Sequence, residues 1–153
     1  MNIRSREITV INNIFIKVIQ PYKYYCIIDF EATNDSDPFR PGYGRSDYPS
    51  EIIQFPAVLI DSSNNSIVAE FNRYVRPSRN PILTNHILTL THISQEQVNN
   101  ADRFIVVLRE FEDWLSNYSQ KPFDNVCFVT DGQYDFGRIL EKECYASNIS
   151  KPS

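Results

Sequence analysis

The chain contains one short apolar run, Tyr24-Tyr25-Cys26-Ile27-Ile28, that ends directly in Asp29-Phe30-Glu31. Five β-prone residues, apolar on both faces, predict a central strand buried in a sheet. Asp29 and Glu31 are two apart, so on an extended chain they share one face and Phe30 points into the opposite layer. The two acids then stand at the C-terminal mouth of a buried strand, a favoured location for ligand sites in α/β sheets.

The remaining elements arrange themselves around that strand. Residues 51–60 and 67–75 are β-prone and flank the polar turn 61–66, which predicts a hairpin. Pro56 within the first arm predicts a bulge or an edge position. Residues 34–50 carry Pro38, Pro41, Gly42, Gly44 and Pro49 and read as a long loop. Short irregular helices are expected over 77–100. Next, Phe104, Val107, Leu108, Phe111, Leu115 and Tyr118 recur at helical spacing, with Asn100 as the cap and Asp102 in the first turn. Residues 125–130 read as a further strand, Asp131-Gly132 as a turn and residues 134–144 as a helix. The first 21 residues read as an N-terminal extension with a possible edge strand, and residues 22–153 as the folded domain.

At 153 residues the chain accommodates one domain. Its net charge of −4 argues against a broad basic face for nucleic acid, so any polyanion would be met locally or with cations at the site. Cys26, Cys127 and Cys144 lie far apart, which excludes a zinc finger or disulfide scaffold and favours a reducing compartment, cytoplasm or nucleus. No apolar run is long enough to span a membrane, and the first residues do not read as a secretion signal.

Two side-by-side carboxylates repel unless protonated or bridged by a cation, and a hard divalent ion with oxygen ligands suits them. Asp135 opens the helix after the last strand. If that strand pairs beside the first, Asp135 comes over Asp29 and Glu31, and three carboxylates can hold two Mg2+ ions about 4 Å apart. Asp135 could instead serve only as a helix-dipole partner. Asp131 reads as a turn or capping residue.

Five blocks occur in a familiar order: Ile28-Asp29-Phe30-Glu31-Ala32-Thr33; Tyr48 to Pro56; Tyr74-Val75-Arg76-Pro77; Leu88 to Val98; and Thr130-Asp131-Gly132-Gln133-Tyr134-Asp135. Together they resemble the DEDDh 3′–5′ exonucleases, in the branch with the histone-mRNA and small-RNA exoribonucleases and Snipper-type enzymes. The resemblance implies an RNase H-like α/β fold with a mixed sheet, and removal of nucleotides from single-stranded RNA 3′ ends with two Mg2+ or Mn2+ ions. By motif, Asp29, Glu31 and Asp135 would be the catalytic metal ligands. Glu31, Ala32, Thr33 and Tyr134 would contact the terminal nucleotide.

There are departures from the pattern. Gln54 stands where Glu is usual, Tyr134 where Trp is usual and Asn34 where Cys is usual. The family's third motif carries a histidine and an aspartate, yet neither residue follows Asp135; the two histidines, His86 and His92, both precede it. The domain is therefore expected to be incomplete at its C-terminus and impaired in catalysis. The alternative is a degenerate module that binds RNA ends or a protein partner without cleavage. A phosphoacceptor regulatory domain also gathers acids at strand ends, but the hairpin-first strand order does not fit it.

Overall fold

The computed structural model describes residues 5–11, 14–33 and 50–150, with side chains from residue 20 onward. The loop expected over 34–50, and Asn34 with it, falls outside the described residues except for Ser50. Within the N-terminal extension, β1 (Ser5–Ile11) and β2 (Ile14–Ile19) pair antiparallel in a separate two-stranded sheet. The extension therefore satisfies its own backbone instead of adding an edge strand to the main sheet.

The main sheet is mixed. Its central strand β3 (Tyr24–Ile28) runs antiparallel to β5 (Ile52–Asp61) and parallel to β7 (Val126–Val129). β4 (Glu31–Ala32) continues along β5 beyond β3, and β6 (Ser66–Tyr74) closes the hairpin on the other side of β5. The hairpin beside the central strand is thus as expected.

Pro56 is placed differently from the expectation. It lies inside β5, opposite Asn72 of β6, while the irregularity in that ladder falls at Leu59/Ile60. On the other side β5 pairs with Ile28 at Ala57 and with Glu31 at Gln54, in one continuous register that skips Asp29 and Phe30. In that register Pro56 faces Asp29. A proline has no N–H to donate, so the skipped pair occurs where the ladder lacks a donor.

The core lies on one face of this sheet. Tyr24, Cys26 and Ile28 of β3 and Phe55, Ala57 and Leu59 of β5 pack in one buried cluster with Phe71 of β6. Helix α3 (Phe104–Ser116) contributes Phe104, Val107, Leu108, Phe111 and Leu115, five of the six residues in the expected face. The rings of Phe55 and Phe111 stack with centroids 4.7 Å apart, and Phe30 meets Phe55 edge-on, also at 4.7 Å. Phe30 is thereby turned into the core, away from the acids. The other sheet face is more open than two apolar faces imply: Ile27 is 41% and Val129 37% exposed. The buried apolar residues of α3 and of the segment 135–146 belong to the cluster on the first face, which leaves these positions partly in solvent.

Two short helices precede α3. α1 (Asn85–Thr91) is capped by Thr84, and α2 (Gln95–Asn99) by a reciprocal box between Ser94 and Gln97. Ile87 of α1 and Val98 of α2, with Leu83 and Ile93 from the segments before each helix, enclose Ile53 in a second small core. Asn100 closes α2, donating its N–H to Glu96, and does not cap α3, whose N-cap is Arg103. The intervening turn moves Asp102 ahead of the helix, where its carbonyl accepts from the Arg76 N–H. Tyr118 lies past the end of α3 and packs edge-on against Tyr24. After β7 comes a π-helical turn, Asp135–Leu140, that runs into α4 (Glu141–Ala146). Among the described residues, no helix is long and apolar enough to cross a membrane.

Candidate active site

β3 and β7 are parallel, so their C-terminal ends open at the same sheet edge. Past β3 the chain presents Asp29 and Glu31 with Phe30 buried between them, as the alternation of an extended chain requires. Past β7 the chain must reverse within a few residues. Gly132 takes φ +122°, a conformation that side-chain-bearing residues rarely adopt, and the Thr130 hydroxyl donates to the Gly132 carbonyl at 2.6 Å. That turn delivers Asp135 at the head of the π-helical segment.

Asp29, Glu31 and Asp135 line a single cleft of about 270 Å³. Ala32, Thr33 and Tyr134 line it too, as does Asp131, which sequence reasoning left as a turn residue. Leu90 of α1 and Ile139 of the π-helical turn supply apolar wall. Tyr134 is 54% exposed, leaving its ring accessible from the cleft. Thr33 is buried, and its hydroxyl accepts from the Glu51 N–H at 3.0 Å. His86 and His92 are exposed and do not line this cleft. Gln54 is also outside it, donating to Asn72 on the sheet surface.

The acids lie within one another's fields. Burial raises the Glu31 carboxyl above its ordinary range, and the charges of Asp29 and Asp135 raise it further. Asp135 is raised by burial and then by Asp29; the Phe30 N–H, which donates to its carboxylate, opposes this, and Asp131 adds a further upward push. A hard divalent cation would offset such crowding, and its preferred ligands are the carboxylate oxygens that these side chains offer. By donor chemistry the residues fit Mg2+ or Mn2+. Among the described residues, no set of three His, Cys, Asp or Glu side chains is already drawn into a metal-holding group. The acids thus share the cleft in an open arrangement.

A second set of charges supports this edge and was not foreseen from the sequence. Glu51 is 1% exposed. Its carboxylate accepts the backbone N–H groups of Ser78, Arg79 and Asn80 at 2.5–2.9 Å. Its backbone exchanges hydrogen bonds with Thr33, two residues beyond Glu31. Arg79 also reaches Glu143 of α4, Nη2 to Oε2 at 2.7 Å. A buried glutamate is rare without such partners, but Arg79 lies 28 residues from Glu51 and 64 from Glu143, so the contacts leave no local pattern.

Comparison with known proteins places this geometry. Residues 26–151 match the RNase_T family model, described as Exonuclease. The rat protein "3'-5' exoribonuclease 1" is 36% identical over 133 residues, covering 86% of this chain and 36% of that protein. The Drosophila melanogaster "3'-5' exonuclease Snipper" is 33% identical over 147 residues, covering 88% of this chain and 51% of that protein. The chain thus spans between about a third and a half of the length of these relatives. One solved structure is described as the nuclease domain of 3'hExo, a DEDDh family member, bound to rAMP. It superposes with a TM-score of 0.74 at 36% identity, covering 86% of this chain and 62% of that one. With its fold, its acid-lined cleft and these matches taken together, the chain belongs to the exonuclease (RNase_T) family, among relatives that are DEDDh 3′–5′ exoribonucleases.

Proposed function

We propose that residues 22–153 form the acid-bearing part of a 3′–5′ exoribonuclease active site, with residues 1–21 as an extension outside it. Asp29, Glu31 and Asp135 act as the catalytic metal ligands. The observation that carries this reading is the convergence of these three carboxylates in one cleft at the ends of β3 and β7. Two Mg2+ or Mn2+ ions, when bound, would supply an activated water and stabilise charge on the leaving oxygen. The reaction breaks the P–O3′ bond of the last linkage and releases a nucleoside 5′-monophosphate.

The chain's own residues orient the substrate. Ala32 and Thr33 border the acids, and Tyr134 offers an exposed ring on which a terminal base can stack. RNA as the substrate is supported by the ribonucleotide in the 3'hExo structure and by the name of the rat relative. The buried thiol of Cys26 is consistent with a reducing compartment, cytoplasm or nucleus.

One placement favours a second reading. His86 and His92 stand outside the cleft, so the described residues put no imidazole beside the acids to take a proton from water. Under this reading the domain holds an RNA end or a protein partner without cutting.

A trimming assay on 5′-labelled single-stranded RNA in Mn2+ separates the two. A one-nucleotide ladder that is absent with Asp29→Asn/Glu31→Gln establishes the exonuclease. Tight, metal-dependent RNA binding with no ladder establishes the binding module. Neither product nor binding, in a folded sample, removes the exonuclease and the RNA-end form of the second reading.

A further inference from the structure

We infer that Arg79 is a positioning residue for this site: by bridging Glu51 and Glu143, it fixes the helical segment that carries Asp135 against the strand segment that carries Glu31. The inference rests on the proposed metal site and deepens it.

Both ends of the bridge are anchored. Glu51 is locked to the strand segment after Glu31 by its two backbone hydrogen bonds with Thr33, at 2.8 and 3.0 Å. Its carboxylate binds the 78–80 backbone, and Arg79 Nε lies 3.5 Å from Glu51 Oε1. At the other end Glu143, 5% exposed, accepts from Arg79 Nη2 and from the backbone N–H of Ile52. Ile52 is the register partner of Ala32, beside Glu31.

Asp135, Ile139 and Glu143 succeed one another at intervals of about one helical turn and are all buried. The segment is therefore pinned at two points on one stripe. Asp135 is held by the Phe30 N–H, and Glu143 by Ile52 and Arg79. With the second pin gone, the first becomes a pivot and the separation of Asp135 from Glu31 is no longer set.

Stability alone does not account for such a bridge. Apolar residues of similar volume commonly stabilise as well as a buried −/+/− arrangement does. An ionic bridge adds direction; groups bonded directly to metal ligands change metal affinity about 10–100-fold, and a bridge one contact further out should act toward the lower end of that range.

The test is a calorimetric Mn2+ titration of the 153-residue chain with a thermal melt of each sample. Arg79→Met/Glu143→Met removes the bridge without stranding a charge on Glu143. Its Mn2+ affinity should fall about tenfold or more while a cooperative melt persists. Glu143→Gln keeps an acceptor for Arg79 and Ile52, and its affinity should stay within about twofold of the parent. If the double variant binds Mn2+ like the parent, the inference is overturned and the metal site stands. Equal weakening in Glu143→Gln overturns it as well, because charge and not geometry would then be responsible. If the double variant does not fold, Glu143→Ala, which leaves Arg79 on Glu51, carries the test by the same two outcomes. A parent chain that binds no Mn2+ removes the metal site itself, and the inference with it.

Discussion

The carboxylate of Asp135 accepts a hydrogen bond from the backbone N–H of Phe30, the residue flanked by Asp29 and Glu31. The third acid is thus fastened to the backbone of the first two. One of the anchors of the trio is therefore a main-chain donor, which a change of rotamer at Phe30 does not move.

If these acids hold the cations, replacing two of them ends binding without harming the fold. Asp29→Asn/Glu31→Gln should abolish Mn2+ heat in calorimetry. Its thermal midpoint without metal should equal or exceed the parent's, since repulsion against Asp135 is relieved. An unchanged titration would remove the assignment.

The pH dependence of stability has a defined sign. Burial, partly opposed by Arg79, pushes the Glu143 carboxyl up to about 7 from the ordinary 4.5. A carboxyl raised in the folded state binds more protons folded than unfolded across that interval. Stability therefore falls as pH rises from about 4.5 to about 7. Glu31 and Asp135, also raised, act in the same direction. In metal-free melts, the parent should lose more stability than Glu143→Gln between pH 5 and pH 7.5. Parallel curves for the two would contradict the buried state of Glu143.

The three cleft acids and the buried Glu51–Glu143 pair differ in how far the sequence reveals them. Asp29 and Glu31 are legible because alternation on a strand is a local rule, and Asp135 because a parallel strand brings its end to the same edge. The α3 face from Phe104 to Leu115 is legible for the same reason, as its period is written in the sequence. Glu51, Arg79 and Glu143 are not legible, because their contacts join a strand, a loop and a helix that only the tertiary fold brings together. Asn100 was misassigned because it sits between two helices and satisfies the end of the first as readily as the start of the second. Ile27 was taken as buried because apolar composition does not reveal which sheet face the helices cover.

Gly132 sets the turn that delivers Asp135. Nothing crowds a Cβ there, so the cost of Gly132→Ala is conformational. We expect a loss of roughly 1–3 kcal/mol in denaturant melts, with weaker Mn2+ binding as the turn relaxes. A variant as stable as the parent would mean that the turn tolerates another path.

Tyr134 should separate RNA contact from metal contact. Tyr134→Ala removes an exposed ring, so the melt and the Mn2+ titration should not change. Affinity for a short single-stranded RNA with a 3′-terminal phosphorothioate linkage should drop by about 1–3 kcal/mol if a base stacks there. Equal RNA affinity in fluorescence anisotropy would assign the ring to the protein surface alone.

The length of β7 decides what the Phe30 N–H can do. The Tyr24 N–H donates across to Asn125, and along a strand the even-numbered residues of β3 keep that direction. Phe30 therefore aims its donor toward the lane of β7, but β7 pairs with β3 only as far as Val129 opposite Ile27. A longer strand would have engaged that donor with its own carbonyl and left Asp135 to solvent. By stopping short, the sheet leaves one rung of its ladder to be completed by a side chain, and an unfinished strand becomes the fixture that holds the third acid in register.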